Sequence, residues 1–194
     1  MDLMGILDNA LNSDTVKQIS QKLGTDEDST ISAIQAALPL LLGGLANSSA
    51  SQAGASSLIS ALDRDHDGSI LDDLGGFLDD YLSGRGQGIL SHIFGAQEGA
   101  VERGVSNASG IDLRKVGPLL LMLAPIVMGA LGRARREQGI GASDLPRELG
   151  AAAQQTGGNQ GLLGALSSMF DMNRDGSAVD DIAGMLSRAV GGCR

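Results

Sequence analysis

The sequence has no tryptophan, and aromatic residues make up only 2% of its 194 positions. This scarcity disfavours an aromatic-rich β-sandwich and predicts a core packed from leucine, isoleucine, valine and alanine. The single cysteine, Cys193, excludes a disulfide scaffold. Basic residues are also few, 14 against 23 acidic ones. The net charge of −9 argues against a general nucleic-acid binder, because phosphate contacts require an excess of lysine and arginine.

The chain also lacks an uninterrupted apolar run of the ~20 residues that span a bilayer. Its longest uncharged run, residues 117–132, contains Pro118 and Pro125, which favours a buried core helix over a membrane span. The N-terminal residues 1–4 lack the basic start of a secretory signal. We therefore expect a cytoplasmic protein without a membrane span.

Glycine is abundant instead, with 29 residues, and apolar residues recur at helical spacing. Residues 16–23 form one such stripe, which stops at Gly24. A second stripe covers residues 31–45, and Thr25 is its expected N-cap. Pro39 lies inside this second stripe, where its ring and missing N–H predict a kinked or broken helix. No alternating strand pattern is present, so the predicted fold class is all-α and multihelical.

Internal repetition divides the chain. The run ALPLLLGGL at residues 37–45 reappears as LAPIVMGAL at residues 123–131, and the two prolines stand 86 positions apart. The same offset relates Gly24 to Gly110, and an acidic loop recurs at a longer offset, which predicts an insertion in the second copy. The predicted units are residues 1–95 with an acidic loop at 63–73, and residues 96–194 with an insertion near 138–161 and an acidic loop at 171–181.

The two acidic loops carry the most specific chemistry. Both fit D-x-[DN]-x-D-G-S-x-x-D-D, and together they contain half of the aspartates of the chain. Ca²⁺ takes about six to eight oxygen ligands, and carboxylates at positions 1, 3 and 5 converge when a glycine at position 6 turns the chain sharply. A solvated turn that caps the next helix would explain one or two acids per loop, but not three ligands at alternate positions twice. The predicted ligands are Asp63, Asp65, Asp67, the Ser69 carbonyl and Asp73 in the first loop, and Asp171, Asn173, Asp175, the Ser177 carbonyl and Asp181 in the second.

The closing ligand is where both loops depart from an EF-hand, because leucine and isoleucine replace the glutamate of position 12. Asp73 and Asp181, at position 11, are the predicted closing ligands, with Asp72 and Asp180 as alternates. The shorter side chain predicts a micromolar or weaker affinity. The first loop is expected to bind more tightly because its third position is aspartate rather than asparagine. The sequence thus predicts up to two bound Ca²⁺ ions.

Charge is unevenly distributed, since the first 96 residues carry the whole net charge of −9. One interpretation is that the arginine-rich segment at residues 132–136 faces acids of the first unit. The alternative is that both sets of charges are solvated at the surface.

Several segments resemble known families. Residues 63–82 resemble a dockerin-type calcium loop as well as an EF-hand loop. A broader resemblance rests on ISQKLG at 19–24, ALPLLL at 37–42, DRDHDG at 63–68, GILSHIFG at 88–95 and LAP at 123–125. With these segments the chain resembles the YidB-like bacterial family, the domain of unknown function 937. The resemblance implies a multihelical fold and a bacterial source, and it supplies no activity or catalytic residue.

An enzymatic site is not indicated. His66 and His92 have no obvious catalytic partner, Cys193 lies in the tail, and there is no Walker A, dinucleotide or zinc motif. Residues 16–24 could open a helix-turn-helix, but residues 26–28 would place three acids against phosphate. We therefore predict a non-enzymatic calcium-binding protein with a structural or interaction role, whose partner is an unknown protein or a second copy, without nucleic acid. The alternatives are a membrane- or nucleic-acid-associated helical module and an enzyme of unrecognised type.

Overall fold

A computed structural model describes residues 3–64, 68–72, 74, 76 and 87–156. These residues form α-helices, short 3-10 turns and loops, with no β-strand among them, so the all-α, multihelical prediction is confirmed for this part of the chain. The helices up to Thr156 belong to one compact unit. They are α1 (Leu3–Ala10), α2 (Ser13–Leu23), α3 (Glu27–Ser48), α4 (Gln52–Arg64), α5 (Gln87–Phe94), α6 (Glu98–Ser109), α7 (Leu113–Gln138) and α8 (Leu145–Thr156), with 3-10 turns at Ser69–Asp72 and Gly95–Gln97.

The offset of 86 found in the sequence relates two helix pairs, α2–α3 and α6–α7. The short helix of each pair ends at a glycine in the left-handed region, Gly24 with φ 61° and Gly110 with φ 76°. An aspartate is the N-cap of the long helix in each pair, and these residues, Asp26 and Asp112, are again 86 positions apart. The expectation of Thr25 as the N-cap is wrong by one residue, because the Asp26 side chain accepts the Ser29 N–H at 2.8 Å.

The long helices α3 and α7 run through their prolines without interruption. Pro39 lies inside α3, and Pro118 and Pro125 lie inside α7. Helix α3 therefore does not break at Pro39, and the other form of the prediction, a kink at this residue, stays a prediction. A proline in a helix interior costs about 3 kcal/mol, and burial of the surrounding apolar residues offsets this cost: Leu41 and Leu42 are fully buried next to Pro39.

Both long helices are also long and apolar enough to cross a membrane by length and composition alone. In the folded chain, 61% of the apolar window in α3 and 78% of that in α7 is buried inside the protein. Core helices of soluble proteins pass the same test of length and composition. The long uncharged run of residues 117–132 accordingly lies within this buried helix.

The two helix pairs pack against each other reciprocally. The long helix α3 contacts α6, the short helix of the second pair, and the long helix α7 contacts α2, the short helix of the first pair. Helix α3 also contacts α5, which precedes the second pair, and α7 contacts α1, which precedes the first pair. Residues from both sides of position 95 therefore share one core. The division of the chain into repeated units at residues 1–95 and 96–194 stays a prediction.

The predicted insertion at residues 138–161 coincides in part with α8. Helix α7 ends at Gly139, which has φ 66°, and α8 follows after a short turn. Leu145 and Leu149 of α8 are fully buried, and the helix packs along α3. The described part of this segment thus extends the helical core.

Candidate functional site

The first acidic loop begins at the end of α4, and part of it lies on α7. Of its predicted ligands, the described residues include Asp63, in the last turn of α4, and Ser69, in the 3-10 turn. The remaining predicted ligands lie outside the described residues: Asp65, Asp67 and Asp73 of the first loop, and Asp171, Asn173, Asp175, Ser177 and Asp181 of the second, together with the alternate Asp180. The site can therefore be built only from its two flanks and the turn between them.

Gly68 forms the turn. Its φ of 91° lies in the left-handed region, which side chains with a Cβ rarely adopt. A Cβ at this position would lie 3.0 Å from the Arg133 Cβ and 3.2 Å from the Gly129 carbonyl oxygen. Glycine is therefore needed at position 68 for two reasons: the backbone conformation and the close approach to α7.

Gly129 provides the matching gap on α7. It stands in the buried part of the helix, and a Cβ added to it would overlap the Ile70 side chain and contact Leu71. The missing side chain thus leaves the space in which the 3-10 turn Ser69–Asp72 packs on the helix. A pair of glycines, one on each partner, brings the loop and the helix together.

Two arginines of α7 hold the loop from the side. Arg133 donates one hydrogen bond to the Gly68 carbonyl at 3.1 Å and another to Asp72 Oδ1 at 2.7 Å. Arg135 donates to Asp63 Oδ1 and forms an ion pair with it. The interpretation that the arginine-rich segment faces acids of the first unit is therefore confirmed for these two residues. We call Arg133 and Arg135 with their three acceptors the arginine clasp.

The clasp is half open to solvent. The side chain of Arg135 is 22% exposed and that of Asp63 is 53% exposed, whereas Asp72 is 72% exposed. Exposed ion pairs contribute about 0.2–1 kcal/mol each, so the clasp orients the loop more than it stabilises the whole fold. The Nε of Arg135 is buried and has no hydrogen-bond partner among the described residues.

The described residues alone do not assemble a metal centre. No group of three or more histidine, cysteine, aspartate or glutamate side chains that could hold an ion occurs within 3–64, 68–72, 74, 76 and 87–156. Asp63 and Asp72 each use Oδ1 for an arginine. A carboxylate has two oxygens, and a metal-ligating carboxylate commonly accepts a hydrogen bond on the other one, so Asp63 Oδ2 is compatible with ligation.

Sequence reasoning did not identify Gly129 or the specific partners of the arginines. The available signal was the position of Arg133 and Arg135 directly after the apolar run of residues 117–132, which contains Gly129. A further charged contact, from Lys115 Nζ to the Gly24 carbonyl at 2.5 Å, joins the start of α7 to the end of α2. Such contacts between distant parts of the chain have no signature in local periodicity.

Comparison with known proteins gives a family but no activity. No curated protein and no solved structure matches the chain. One family, described as bacterial proteins of unknown function (DUF937), matches residues 6–134, which include α2 to α6, the first acidic loop and most of α7. Because the match covers more than half of the sequence, the chain belongs to the DUF937 family of bacterial proteins of unknown function.

Proposed function

We propose that this protein is a non-enzymatic, calcium-binding helical protein of the bacterial cytoplasm, with a structural or protein-interaction role. The observation that carries the proposal is the left-handed Gly68 at the sixth position of an acidic loop. Calcium loops need a sharp turn at this position so that carboxylates before it and a backbone carbonyl after it converge. Asp63 and Ser69 stand on the two sides of that turn.

The proposed role of the ion is to order the loop between α4 and α7. Carboxylates held about 5 Å apart repel each other by about 1–3 kcal/mol per pair at an effective dielectric between 80 and 20. A Ca²⁺ ion removes this repulsion at Asp63, Asp65 and Asp67. The clasp engages only Oδ1 of Asp72, so Asp72 stays the alternate to Asp73 as the proposed closing ligand.

The proposal extends to the second loop through the repeat. The matching glycines, capping aspartates and prolines at an offset of 86 support a duplicated helical unit, with one calcium loop in each copy. The partner in this proposal is another protein or a second copy of the chain, and no nucleic acid takes part. The finer likeness to YidB-like proteins and to EF-hand and dockerin-type loops belongs to the same proposal.

Calorimetric titration of the chelator-stripped, full-length chain with Ca²⁺ tests this function, with a repeat in about 1 mM Mg²⁺ to separate the two cations. The wild-type chain is expected to bind two ions. Asp67→Asn and Asp175→Asn are each expected to remove one of them. Asp8→Asn, an exposed aspartate of α1, is the matched control and should leave both. Absence of binding heat, or the same stoichiometry in all variants, contradicts the proposal.

The same samples show whether Ca²⁺ acts as a conformational switch or only as a structural ion. If Ca²⁺ acts as a switch, its addition exposes apolar surface and increases the fluorescence of a hydrophobic dye. If Ca²⁺ is a structural element only, it raises the melting temperature and leaves dye fluorescence unchanged, because binding to the native state stabilises it by mass action.

A further inference from the structure

A groove between α5, α6 and α7 shares no residue with the acidic loop or the arginine clasp. Its volume is about 480 Å³, and the described residues that line it are Leu90, Glu98, Glu102, Gly117, Pro118 and Leu121. This volume lies within the range of small-molecule sites. The three helices contribute different chemistry, since α6 supplies two carboxylates while α5 and α7 supply apolar side chains.

The two carboxylates lack a cationic partner among the described residues. Glu98 and Glu102 are four residues apart, hence on the same face of α6, and both side chains are half-buried. Neither forms an ion pair with a residue that the structure describes. Like charges at this spacing destabilise a helix, so a bound cation would relieve a repulsion that the fold itself leaves in place.

The wall formed by α7 leaves room beside these carboxylates and adds no donor. A Cβ at Gly117 would lie 2.9 Å from Glu102 Oε1, so the glycine provides the space that the carboxylate uses. Pro118 has no N–H to donate. The carbonyl of Leu121 also loses its usual helical donor, because Pro125 stands four residues later. The described side chains that line the groove are thus acceptors or apolar groups.

We propose that this groove binds a small aliphatic amine in its ammonium form. The ammonium group donates hydrogen bonds to Glu98 and Glu102, and the alkyl chain lies against Leu90, Pro118 and Leu121. Charge complementarity selects this ligand class: anions are repelled by two carboxylates, a neutral alcohol cannot form a charge-assisted hydrogen bond, and a hydrated metal ion gains nothing from the apolar wall. The site goes beyond the calcium-binding proposal and does not depend on it.

The test uses n-hexylammonium as the probe and the full-length chain in buffer with a calcium chelator, with binding measured by ligand-observed NMR. We expect saturable binding, with n-hexanol weaker by about fivefold or more. Glu102→Gln should weaken n-hexylammonium binding about fivefold to tenfold, because glutamine keeps an acceptor oxygen but the hydrogen bond loses the charge on its acceptor. The matched control is Glu137→Gln, an exposed glutamate at the end of α7, which should bind as the wild type does.

A second variant, Gly117→Ala, fills the groove without changing its charge. Because alanine favours a helix over glycine by about 1 kcal/mol, this variant should fold and should bind the probe more weakly. The proposal is overturned if n-hexanol binds as well as n-hexylammonium, if Glu102→Gln has no effect, or if Glu137→Gln weakens binding equally. Tighter binding of N-acetyl-lysine methylamide than of n-hexylammonium would also overturn it, because the occupant would then be a lysine of a partner protein.

Discussion

The ends of α3 and α7 come from the same sequence pattern but contact different surroundings. Gly43 of α3 and Gly129 of α7 are 86 positions apart, yet a Cβ at Gly43 would meet none of the described residues within 4 Å, whereas one at Gly129 would overlap Ile70. Next along the helices, the counterparts of Arg133 and Arg135 are Asn47 and Ser49.

The role of these counterparts also differs. Ser49 is buried and donates to the Leu45 carbonyl at 2.7 Å, so it closes the end of its own helix. Arg135 reaches outward to Asp63 of the first acidic loop. The comparison shows that the two long helices share an apolar pattern, while a glycine and two arginines that α3 lacks at the matching positions let α7 hold the described part of this loop.

The largest expected effect is on the two equivalent glycines. Gly43→Ala should stabilise the fold by up to about 1 kcal/mol, because alanine is the better helix former and its methyl group has space. Gly129→Ala should destabilise it by about 1–2 kcal/mol, because overpacking against Ile70 exceeds the gain in helix propensity. Urea unfolding measures both free energies. Equal shifts for the two variants would show that the loop does not pack on Gly129.

The next effect, on cation affinity, depends on the proposed calcium loop. Arg135→Gln removes a positive charge that contacts Asp63, and a divalent ion about 5 Å from such a charge is repelled by about 1–2 kcal/mol at the dielectric of water. We expect the variant to bind Ca²⁺ about fivefold to thirtyfold more tightly in calorimetry. Arg114→Gln, an exposed arginine at the start of α7, controls for net charge. Weaker binding in Arg135→Gln would instead mean that Arg135 orients the ligand.

A smaller effect is expected on stability when the other arginine is removed. Arg133→Gln loses the hydrogen bonds to the Gly68 carbonyl and to Asp72, and we expect a loss of about 0.5–1 kcal/mol in the free energy of unfolding. The difference from wild type should shrink in 1 M salt, where the Debye length is about 3 Å. Arg114→Gln again serves as the control, and a loss of the same size in that variant would contradict a specific role for the clasp.

Much of the helical architecture could be predicted from local sequence. The apolar spacing indicated the helices, Gly24 and Gly110 marked the ends of two of them, and the offset of 86 related the matching positions. The N-cap of α3 was misassigned because threonine and aspartate are both good caps, and only the hydrogen bond to Ser29 distinguishes them. Local sequence left open whether Pro39 kinks or breaks its helix, and α3 does not break there because tertiary burial outweighs the local cost.

The candidate site was predictable only in part. The acidic pattern indicated the turn at Gly68, and the arginine-rich segment suggested acidic partners. The pairing of Asp63 with Arg135 joins residues 72 positions apart, and the packing of Ile70 on Gly129 depends on how α4 and α7 meet. Both follow from tertiary packing, which periodicity does not encode.

The smallest expected effect concerns the start of α3. The first turn of α3 contains the acidic residues Glu27 and Asp28, whereas the first turn of α7 contains no acidic residue. The Ser29 backbone N–H that Asp26 accepts lowers the pKa of its carboxyl below the ordinary value of 3.8. Because the pKa is lower in the folded state, the cap stabilises the fold above the pKa of the unfolded chain and is lost as the pH falls through the folded value. Stability should therefore decline below about pH 4.

Asp26→Asn tests this, because asparagine also accepts at an N-cap but does not ionise. Between pH 6 and pH 2.5 the wild-type chain should lose slightly more stability than Asp26→Asn, measured as the midpoint of thermal unfolding. Asp28→Asn changes the charge in the same turn without touching the cap, so its pH dependence should follow that of the wild type. If all three chains decline in parallel, the Asp26 cap contributes nothing that depends on its ionisation.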